Sequence, residues 1–296
     1  MSNKTQYVVS VSGGAGSTLA LERCISKHGV ENTLAIFADT NTEHKDLYTL
    51  IEHIQKRHPK LIFVHLKNDG QTIWDIFNKH GIIRTPTGAC KASTELKARP
   101  LISWIKENCD LQNTVIVSGL EYTEPERRER FSKKWNPVEC WHPLADEPIL
   151  SNCQIRDAIL DLGYPTQTLY ERRYPHNNCG GGCVLAGQSQ WAALLLEDPE
   201  TFEYHLEREK DYLDKNADKN KHPILRSKAA HVVMGVDGLP KMSTDTRGIR
   251  LTEFKKMVYE NKADLRDFKT ACGCFMGDQL NFFDMLKPEN ETDCEA

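Results

Sequence analysis

Strand-like and helix-like segments alternate along the first half of the chain, and this alternation restricts the possible folds more than any other feature. Four short runs are rich in β-branched and other apolar residues and lack the polar alternation of a half-exposed strand. They are residues 7–11, 34–38, 61–66 and 114–118. Continuous apolar runs of this length are typical of strands buried on both faces of a parallel sheet.

The segments between these runs have the spacing of amphipathic helices. In one of them Leu47, Leu50, Ile51 and Ile54 recur at i, i+3, i+4 and i+7. The helical segments are residues 17–28, 43–57 and 93–108. The alternation predicts an α/β fold with a doubly wound, mostly parallel sheet of the Rossmann-like type.

The pattern changes after about residue 150. Three further segments have helical character, and a single strand-like run follows them at 231–234, with a Gly-Val-Asp-Gly turn at 235–238. The helical segments are residues 151–162, 188–197 and 199–216. We therefore predict an α/β domain over 1–150 and a mainly helical C-terminal extension over 151–296 that ends in an acidic tail.

Composition excludes several classes of protein. The chain has 296 residues, with 38 Lys and Arg against 42 Asp and Glu, a formal net charge of −4 and 39% hydrophobic residues. These values argue against a disordered chain, a coiled coil or a strongly charged scaffold. No apolar stretch approaches the roughly 20 residues of a membrane-spanning helix, and the first residues lack the apolar core of a signal peptide. We expect a cytoplasmic protein without a membrane partner, whose ten cysteines are thiols or metal ligands.

A glycine- and hydroxyl-rich segment joins the first predicted strand to the first helix. It runs from Ser12 to Ser17 and contains Gly13, Gly14 and Gly16. The glycines allow a tight turn that presents unpaired N–H groups at a helix N-terminus, where the helix dipole also favours a phosphate. In open α/β sheets, ligands bind at the carboxyl ends of the strands, where this segment lies. The segment therefore predicts an anion site.

Three kinds of phosphate loop compete for this segment. A Walker A loop needs Gly-Lys-Ser/Thr, and no lysine is present. A dinucleotide loop would use Gly14 and Gly16 with Asp39 as the ribose-binding acid, but Leu19 stands where the third glycine belongs. The Ser-Gly-Gly-x-x-Ser loop of ATP pyrophosphatases matches residues 12–17. A glycine-rich turn without a ligand is the alternative.

Further motifs follow this loop along the chain. They are Phe37-Ala38-Asp39-Thr40-Asn41-Thr42-Glu43-His44, Cys90 with Leu96-Lys97 and Pro100, Gly119 to Glu124 with Arg127 and Arg128, Trp141-His142-Pro143-Leu144, and Gly163-Tyr164-Pro165 with Leu169-Tyr170. In order and spacing they resemble the phosphoadenosine-phosphosulfate (PAPS) reductase-like family of the PP-loop adenine nucleotide alpha-hydrolase superfamily. The resemblance covers roughly residues 7–185.

The resemblance implies ATP or a related adenine nucleotide, with magnesium, bound across the first-strand loop. The nucleotide-binding positions are Ser12, Gly13, Gly14, Gly16, Ser17, Asp39, Thr40 and Gly119. The candidate catalytic residues are Cys90, Lys91, Arg127 and Arg128. Cys90 precedes a helix, whose dipole lowers a thiol pKa, so it could carry sulfur, ligate a metal or only cap the helix. The two arginines begin a basic run that could bind the phosphate of a nucleotide or of a nucleic acid.

Two departures from the family pattern bear on activity. Gly16 stands where the usual loop has Asp before the last serine, which removes a carboxylate that could help to hold magnesium. Sulfonucleotide reductases carry a lone cysteine in a Glu-Cys-Gly-x-His tail, whereas this chain has Cys272-Gly273-Cys274. The first departure argues against efficient ATP cleavage, and the second argues against a simple PAPS reductase.

Two cysteine pairs could form a metal centre. Cys179 and Cys183 flank three glycines, and Cys272 and Cys274 flank one, so the backbone can curl around an ion in each pair. Four thiolates suit either zinc or a four-iron, four-sulfur cluster, and the spacing does not choose between them. Buried or unrelated thiols are the alternative without a metal.

The leading hypothesis is ATP-dependent adenylation coupled to sulfur transfer, because a cysteine-bound metal beside a nucleotide site suggests sulfur chemistry. The acceptor would be a nucleobase, a nucleoside or a nucleic acid. The alternatives are reduction of a sulfonucleotide and a non-catalytic module that holds an adenine nucleotide with a structural zinc. A homo-oligomer is compatible with the sequence.

Overall fold

The structure is a computed structural model that describes residues 4–172, 174, 176–217, 222–227, 231–234, 240–243 and 247–263. The chain forms two compact units. The first contains the described residues up to Ile73 together with Ala92–Gly181, and the second contains Trp74–Lys91 and the described residues from Gly182 onwards. The predicted domain boundary near residue 150 stays a prediction.

The first unit is built on a parallel sheet. Its strands are β1 (Gln6–Ser10), β2 (Thr33–Ala38), β3 (Ile62–Leu66), β4 (Thr114–Val117) and β5 (Glu139–Trp141). Within the described residues these five strands form one sheet in the order β3-β2-β1-β4-β5, and every neighbouring pair is parallel. Central β1 pairs Val8 with Leu34 of β2 and with Ile116 of β4. The predicted α/β fold with a parallel, Rossmann-like sheet is confirmed.

Helices cover both faces of this sheet. The α-helices of the first unit are α1 (Ala15–His28), α2 (Lys45–Arg57), α4 (Arg99–Asn108), α5 (Pro125–Trp135), α6 (Asn152–Asp161) and α7 (Thr168–Glu171), whereas α3 (Ile73–His80) belongs to the second unit from Trp74 onwards. Successive strand residues point to opposite faces. Val9 therefore packs in a cluster with residues of α1, α2 and α6, while Val8 packs in another with residues of α4 and α5.

The sequence patterns predicted most of these elements, but they missed a π-helical segment and several whole elements. The helix predicted over 93–108 begins with a π-helical segment, Ser93–Ala98, before α4. Pro100 cannot donate to the ladder of a regular helix, and the N–H of Arg99 reaches the carbonyl of Thr94, five residues back. The sequence did not predict β5, α3, α5 or α7. A three-residue strand is too short to show a period, and α5 was interpreted only as a basic run.

The described C-terminal part of the chain is mainly helical, as predicted. From Gly182 onwards the second unit contains α8 (Gln188–Glu197), α9 (Pro199–Lys215) and α10 (Leu251–Tyr259), together with β6 (Leu225–Ser227), β7 (His231–Met234), β8 (Pro240–Ser243) and β9 (Arg247–Ile249). The strands form two antiparallel pairs, β6 with β9 and β7 with β8. The strand predicted at 231–234 is present, but β6 precedes it. The predicted turn at 235–238 and the acidic tail at 288–296 lie outside the described residues.

Aromatic side chains form the core of the second unit. Trp74, Trp191, Phe202, Tyr212 and Phe254 are all fully buried. The ring centres of Trp191 and Phe202 are 6.1 Å apart in an edge-to-face arrangement. Such a pair stabilises the core by more than the burial of its apolar area alone. No helix in the described parts of the chain is long and apolar enough to cross a membrane.

Candidate functional site

The phosphate loop, residues 12–17, connects β1 to α1 at the carboxyl edge of the sheet. The Ser17 hydroxyl accepts a hydrogen bond from the N–H of Ser12 at 3.1 Å and donates one to the carbonyl of Gly14 at 3.0 Å. The same carbonyl accepts the first intrahelical bond of α1. The N–H groups of Gly16 and Ser17 precede that bond, and such groups have no intrahelical acceptor. This is the backbone geometry that an anion site at a helix start requires.

Close packing of this loop requires glycine at two positions. Gly13 has a φ of 80°, and a Cβ atom there would lie 2.3 Å from Cδ1 of Leu47 on α2. A Cβ atom on Gly119, which follows β4, would lie 2.7 Å from the backbone N of Ser17. Backbone atoms cannot move aside as the end of a side chain can. Gly119, a predicted binding residue, therefore lets the loop after β4 pack directly onto the phosphate loop.

Side chains from the last part of the first unit hold the phosphate loop in place. The amide of Gln167 donates to the carbonyl of Gly13 at 2.7 Å. The hydroxyl of Tyr170 on α7 accepts from the N–H of Ala15 at 3.3 Å, and the guanidinium of Arg156 on α6 lies 4.7 Å from the centre of the Tyr170 ring. Gln167 was not predicted as a site residue, because a contact across 154 residues leaves no local pattern in the sequence.

Asp39, which follows β2, is buried, and both of its carboxylate oxygens have polar partners. Its Oδ1 accepts hydrogen bonds from the Tyr48 hydroxyl and the Asn41 N–H, both at 2.9 Å, and its Oδ2 lies 3.1 Å from Nε2 of His65. Burial, together with the hydrogen bond to Asp39, raises the pKa of Tyr48, so its hydroxyl stays a donor. These bonds order the turn between β2 and α2. The nucleoside contact expected for Asp39 stays a prediction.

Glu43, just before α2, has a side chain that is 0% exposed. Its Oε1 lies 2.6 Å from the Lys97 ammonium and accepts from the Thr40 hydroxyl at 2.9 Å, and its Oε2 accepts from the N–H of Cys179 at 3.0 Å. A buried carboxylate is tolerated only when it is paired and hydrogen-bonded. Glu43 therefore holds Thr40, Lys97 and the backbone of Cys179 at the carboxyl end of β2. The sequence motif included Glu43, but we did not predict it as a site residue.

A carboxyl group also lies next to Gly16. A Cβ atom on Gly16 would lie 3.9 Å from Oε1 of Glu121, in the loop after β4. With the Asn152 amide turned to donate, its nitrogen lies 2.8 and 2.9 Å from the two Glu121 oxygens. Burial and the neighbouring Glu124 raise the pKa of Glu121 to about 7. A carboxyl group from another loop therefore lies near position 16, where the usual loop has Asp.

The two predicted arginines lie at the start of α5. Arg127 forms an ion pair with Glu124. Arg128 donates to the carbonyl of Glu121 at 3.2 Å and lies 5.7 Å from the centre of the Tyr122 ring. Both guanidinium groups thus contact the loop after β4, which packs on the phosphate loop. Their catalytic role stays a prediction.

Cys90 and Lys91 belong to the second unit. Cys90 forms an isolated antiparallel bridge with Arg84, whose guanidinium donates to the carbonyl of Val184 at 2.7 Å. Burial lowers the pKa of Arg84, and the nearby thiols of Cys183 and Cys90 oppose this shift. Arg84 therefore lies close to two of the predicted cysteines within this unit. The roles predicted for Cys90 and Lys91 stay predictions.

The predicted metal ligands are only partly within the described chain. Cys272 and Cys274 lie outside it, Cys179 is half-buried with a φ of 52°, and Cys183 is buried. Within the parts of the chain that the structure describes, no group of three or more His, Cys, Asp or Glu side chains is arranged to hold a metal ion. Zinc, an iron–sulfur cluster and magnesium stay predictions.

A buried histidine in the second unit was not indicated by any sequence motif. Nδ1 of His205 on α9 accepts a hydrogen bond from the indole N–H of Trp74 at 3.1 Å, and an indole nitrogen can only donate. The imidazole proton is therefore on Nε2, which faces Gly182 in the cysteine hairpin. Burial lowers the pKa of His205 to about 4, so the ring is neutral near pH 7.

The fold and the loop together define a class of protein. A parallel sheet in the order 3-2-1-4-5, with a Ser-Gly-Gly-x-x-Ser loop between its first strand and helix, is the arrangement of a phosphate-loop nucleotide-binding α/β protein. The family model of the phosphoadenosine phosphosulfate reductase domain matches residues 6–179, more than half of the chain. The chain belongs to this family, which confirms the resemblance found in its motifs.

One solved structure illustrates the similarity. The crystal structure of phosphoadenylyl-sulfate (PAPS) reductase from Candida auris, in a phosphate complex, is 17% identical, with a TM-score of 0.40. The match covers 57% of this chain and 78% of that chain. No curated protein matches the chain.

Proposed function

We propose that the chain binds an adenine sulfonucleotide and reduces its sulfuryl group to sulfite. The observation that carries this proposal is the phosphate loop, which presents the N–H groups of Gly16 and Ser17 at the start of α1. Membership of the PAPS reductase family supports a sulfonucleotide as the ligand. ATP-dependent adenylation with sulfur transfer, the leading hypothesis from the sequence, becomes the competing reaction.

The charges around the loop favour this choice. A phosphosulfate is an anion that backbone N–H groups and a helix dipole stabilise directly. Attack on ATP that releases pyrophosphate develops more charge, which enzymes of phosphoryl transfer neutralise with Mg²⁺. Of the carboxylates beside the loop, Glu124 is paired with Arg127 and Glu121 lies against Asn152. These groups therefore suit a metal-free anion better than a nucleotide that arrives with magnesium.

The proposed reaction needs two thiols. A thiolate attacks the sulfur of the phosphosulfate, an S–S bond forms, and the S–O bond to the phosphate breaks, so that the nucleotide leaves with the electron pair. A second thiol attacks the cysteine sulfur of this thiosulfonate, expels sulfite and closes a disulfide. The substrate sulfur gains two electrons, and the two thiols lose them. Cys179, held by Glu43, and Cys90 are the candidates for the first thiol.

The full chain, incubated with phosphoadenosine phosphosulfate and dithiothreitol, should release sulfite. Sulfite release supports the proposal. Release of pyrophosphate from ATP and Mg²⁺, without sulfite from the sulfonucleotide, would instead support adenylation. Recovery of both nucleotides unchanged after binding would support the non-catalytic module.

Cysteine variants then identify the thiol. Cys90→Ser and Cys179→Ser are compared with Cys109→Ser, a half-buried thiol that packs with α4 and α5 in the hydrophobic core. We expect the control to keep its activity. Loss of sulfite release in Cys179→Ser with retained nucleotide binding assigns the attacking thiol to Cys179, and the same pattern in Cys90→Ser assigns it to Cys90. Full activity in both variants would contradict these two candidates.

A further inference from the structure

Glu121 lies next to the space that a side chain on Gly16 would fill. Its Oε1 lies 3.9 Å from the position of a Gly16 Cβ atom. The same loop is anchored by Gly119, whose added Cβ would lie 2.7 Å from the backbone N of Ser17. The loop after β4 therefore holds the Glu121 carboxyl near position 16 at the start of α1, close to where the anionic end of the nucleotide would bind.

An ionised carboxylate in this position would repel a bound phosphate or sulfate. A neutral carboxyl group in the same place would instead donate a hydrogen bond to one of its oxygens. We propose that Glu121 couples anion binding at the phosphate loop to the uptake of a proton by its own carboxyl group. This inference rests on the proposed function, because it assumes that the loop binds the anionic end of an adenine nucleotide.

The surroundings of Glu121 allow its protonation state to change near neutral pH. Within the described residues, the charged groups that act on it are Glu124 from its own loop, Arg127 on α5 and Arg156 on α6. The phosphate loop carries no charged side chain, and Arg128 on α5 donates to the backbone carbonyl of Glu121 at 3.2 Å. Burial and Glu124 outweigh the two arginines, so the pKa of Glu121 is raised to about 7.

A metal ion at this carboxylate would have the opposite dependence on pH. Cation binding needs the ionised form and strengthens as pH rises, whereas proton-coupled anion binding weakens. Both Glu121 oxygens already lie within hydrogen-bond distance of the Asn152 nitrogen. A donating amide stabilises the ionised carboxyl and leaves open which cation it meets, so the sign of the pH dependence separates the two mechanisms.

The test measures binding of adenosine 3′,5′-bisphosphate to the full chain by calorimetry, without and with Mg²⁺. Between about pH 7 and about pH 9, we expect the wild-type affinity to fall about tenfold or more. Glu121→Gln should bind as well as the wild type at the lower pH and about tenfold more tightly at the higher pH. Glu126→Gln, an exposed glutamate on α5, is the matched control and should follow the wild type.

Proton uptake by the wild type gives a measurement that needs no variant. Binding heats near pH 8, measured in two buffers of different ionisation enthalpy, should show net uptake of a proton even if Glu121→Gln fails to fold. Equal pH profiles for the wild type and Glu121→Gln, or no proton uptake, would overturn the inference and leave the proposed function intact. Binding that requires Mg²⁺ and strengthens with pH would assign Glu121 to a cation. Failure of every adenine nucleotide to bind would overturn the proposed function and this inference together.

Discussion

The loops that follow β1 and β2 leave the sheet at the same edge, because the two strands are parallel neighbours, but their polar groups differ. The phosphate loop has no charged side chain, and its Gly16 and Ser17 N–H groups lack intrahelical acceptors. The loop after β2 contains the buried carboxylates of Asp39 and Glu43, and each of them is bonded by several donors.

This difference indicates which loop takes the ligand. A ligand that displaced a donor from Asp39 or Glu43 would leave a buried group unsatisfied, at a cost of about 1–3 kcal/mol or more. An anion at the phosphate loop instead meets donors that no helical bond occupies. We therefore infer that the loop after β2 is a rigid frame and that the phosphate loop is the binding element. Four experiments test this comparison.

Removal of the Glu43 carboxylate should have the largest effect. Glu43→Ala should lower the free energy of unfolding by about 3–5 kcal/mol, because the Lys97 ammonium loses its buried partner. Urea denaturation measures the change. The control is Glu52→Ala, which removes an exposed partner 3.9 Å from Lys56 and should cost no more than about 0.5 kcal/mol. A cost for Glu43→Ala as small as that of the control would show that the loop after β2 is not a rigid frame.

Gly119→Ala should disturb the phosphate loop. The added Cβ atom would force the Ser17 backbone away, so we expect a loss of about 2–3 kcal/mol in stability and nucleotide binding weakened about tenfold or more. Thermal unfolding and calorimetry measure the two effects. Gly70→Ala is the control, since Gly70 has a φ of 76° but no neighbouring atom within 4 Å, and strain alone should cost about 1 kcal/mol. Unchanged binding in Gly119→Ala would argue against the phosphate loop as the binding element.

Tyr48→Phe tests whether Asp39 belongs to the frame or to the ligand site. Loss of the hydroxyl donor to buried Asp39 should lower the unfolding free energy by about 1–2 kcal/mol while the nucleotide dissociation constant changes less than about threefold. Denaturation and calorimetry on the same sample give both values. Tyr259→Phe, at an exposed tyrosine, should change neither. If nucleotide binding fell sharply at unchanged stability, Asp39 would contact the ligand.

The smallest effect concerns the stability of the ligand-free chain as a function of pH. The pKa of Glu121 is raised in the folded state, so its contribution to stability is present below the ordinary glutamate pKa and is lost as pH rises through about 7. Relative to Glu121→Gln, the wild type should lose about 1 kcal/mol of unfolding free energy between about pH 5 and about pH 8. This value is smaller than the full pKa shift implies, because the side chain is partly exposed to solvent. Urea denaturation at the two pH values measures it. Parallel losses in both proteins would indicate an unshifted carboxyl group.

Local patterns were enough to predict most of the fold. The strands β1 to β4 are continuous apolar runs and helices α1, α2 and α4 have helical spacing, each within a single segment, and Ser151 caps α6, with Gln154 completing a capping box. By contrast, β5, β6 and β9 have three residues each, so hydrogen bonds to distant strands establish them rather than any sequence period.

The site was predictable only where its residues are consecutive or belong to a motif. The phosphate loop and Gly119 were predicted in this way, and the structure places them in contact. Gln167 and His205 reach their partners, Gly13 and Trp74, across more than a hundred residues of chain, and no local signal indicates them.

The amino-acid sequence by itself determined the strand–helix alternation, the glycine turn after β1 and the family, because each depends on neighbouring residues. Only the tertiary structure decided which carboxylates are neutralised and which lies beside the phosphate loop. The charge on a carboxyl group depends on burial and on the donors that face it, and those donors come from other elements of the folded chain. Glu43 contacts Lys97 and Cys179, whereas Glu121 lies near position 16, and no spacing along the chain encodes either arrangement.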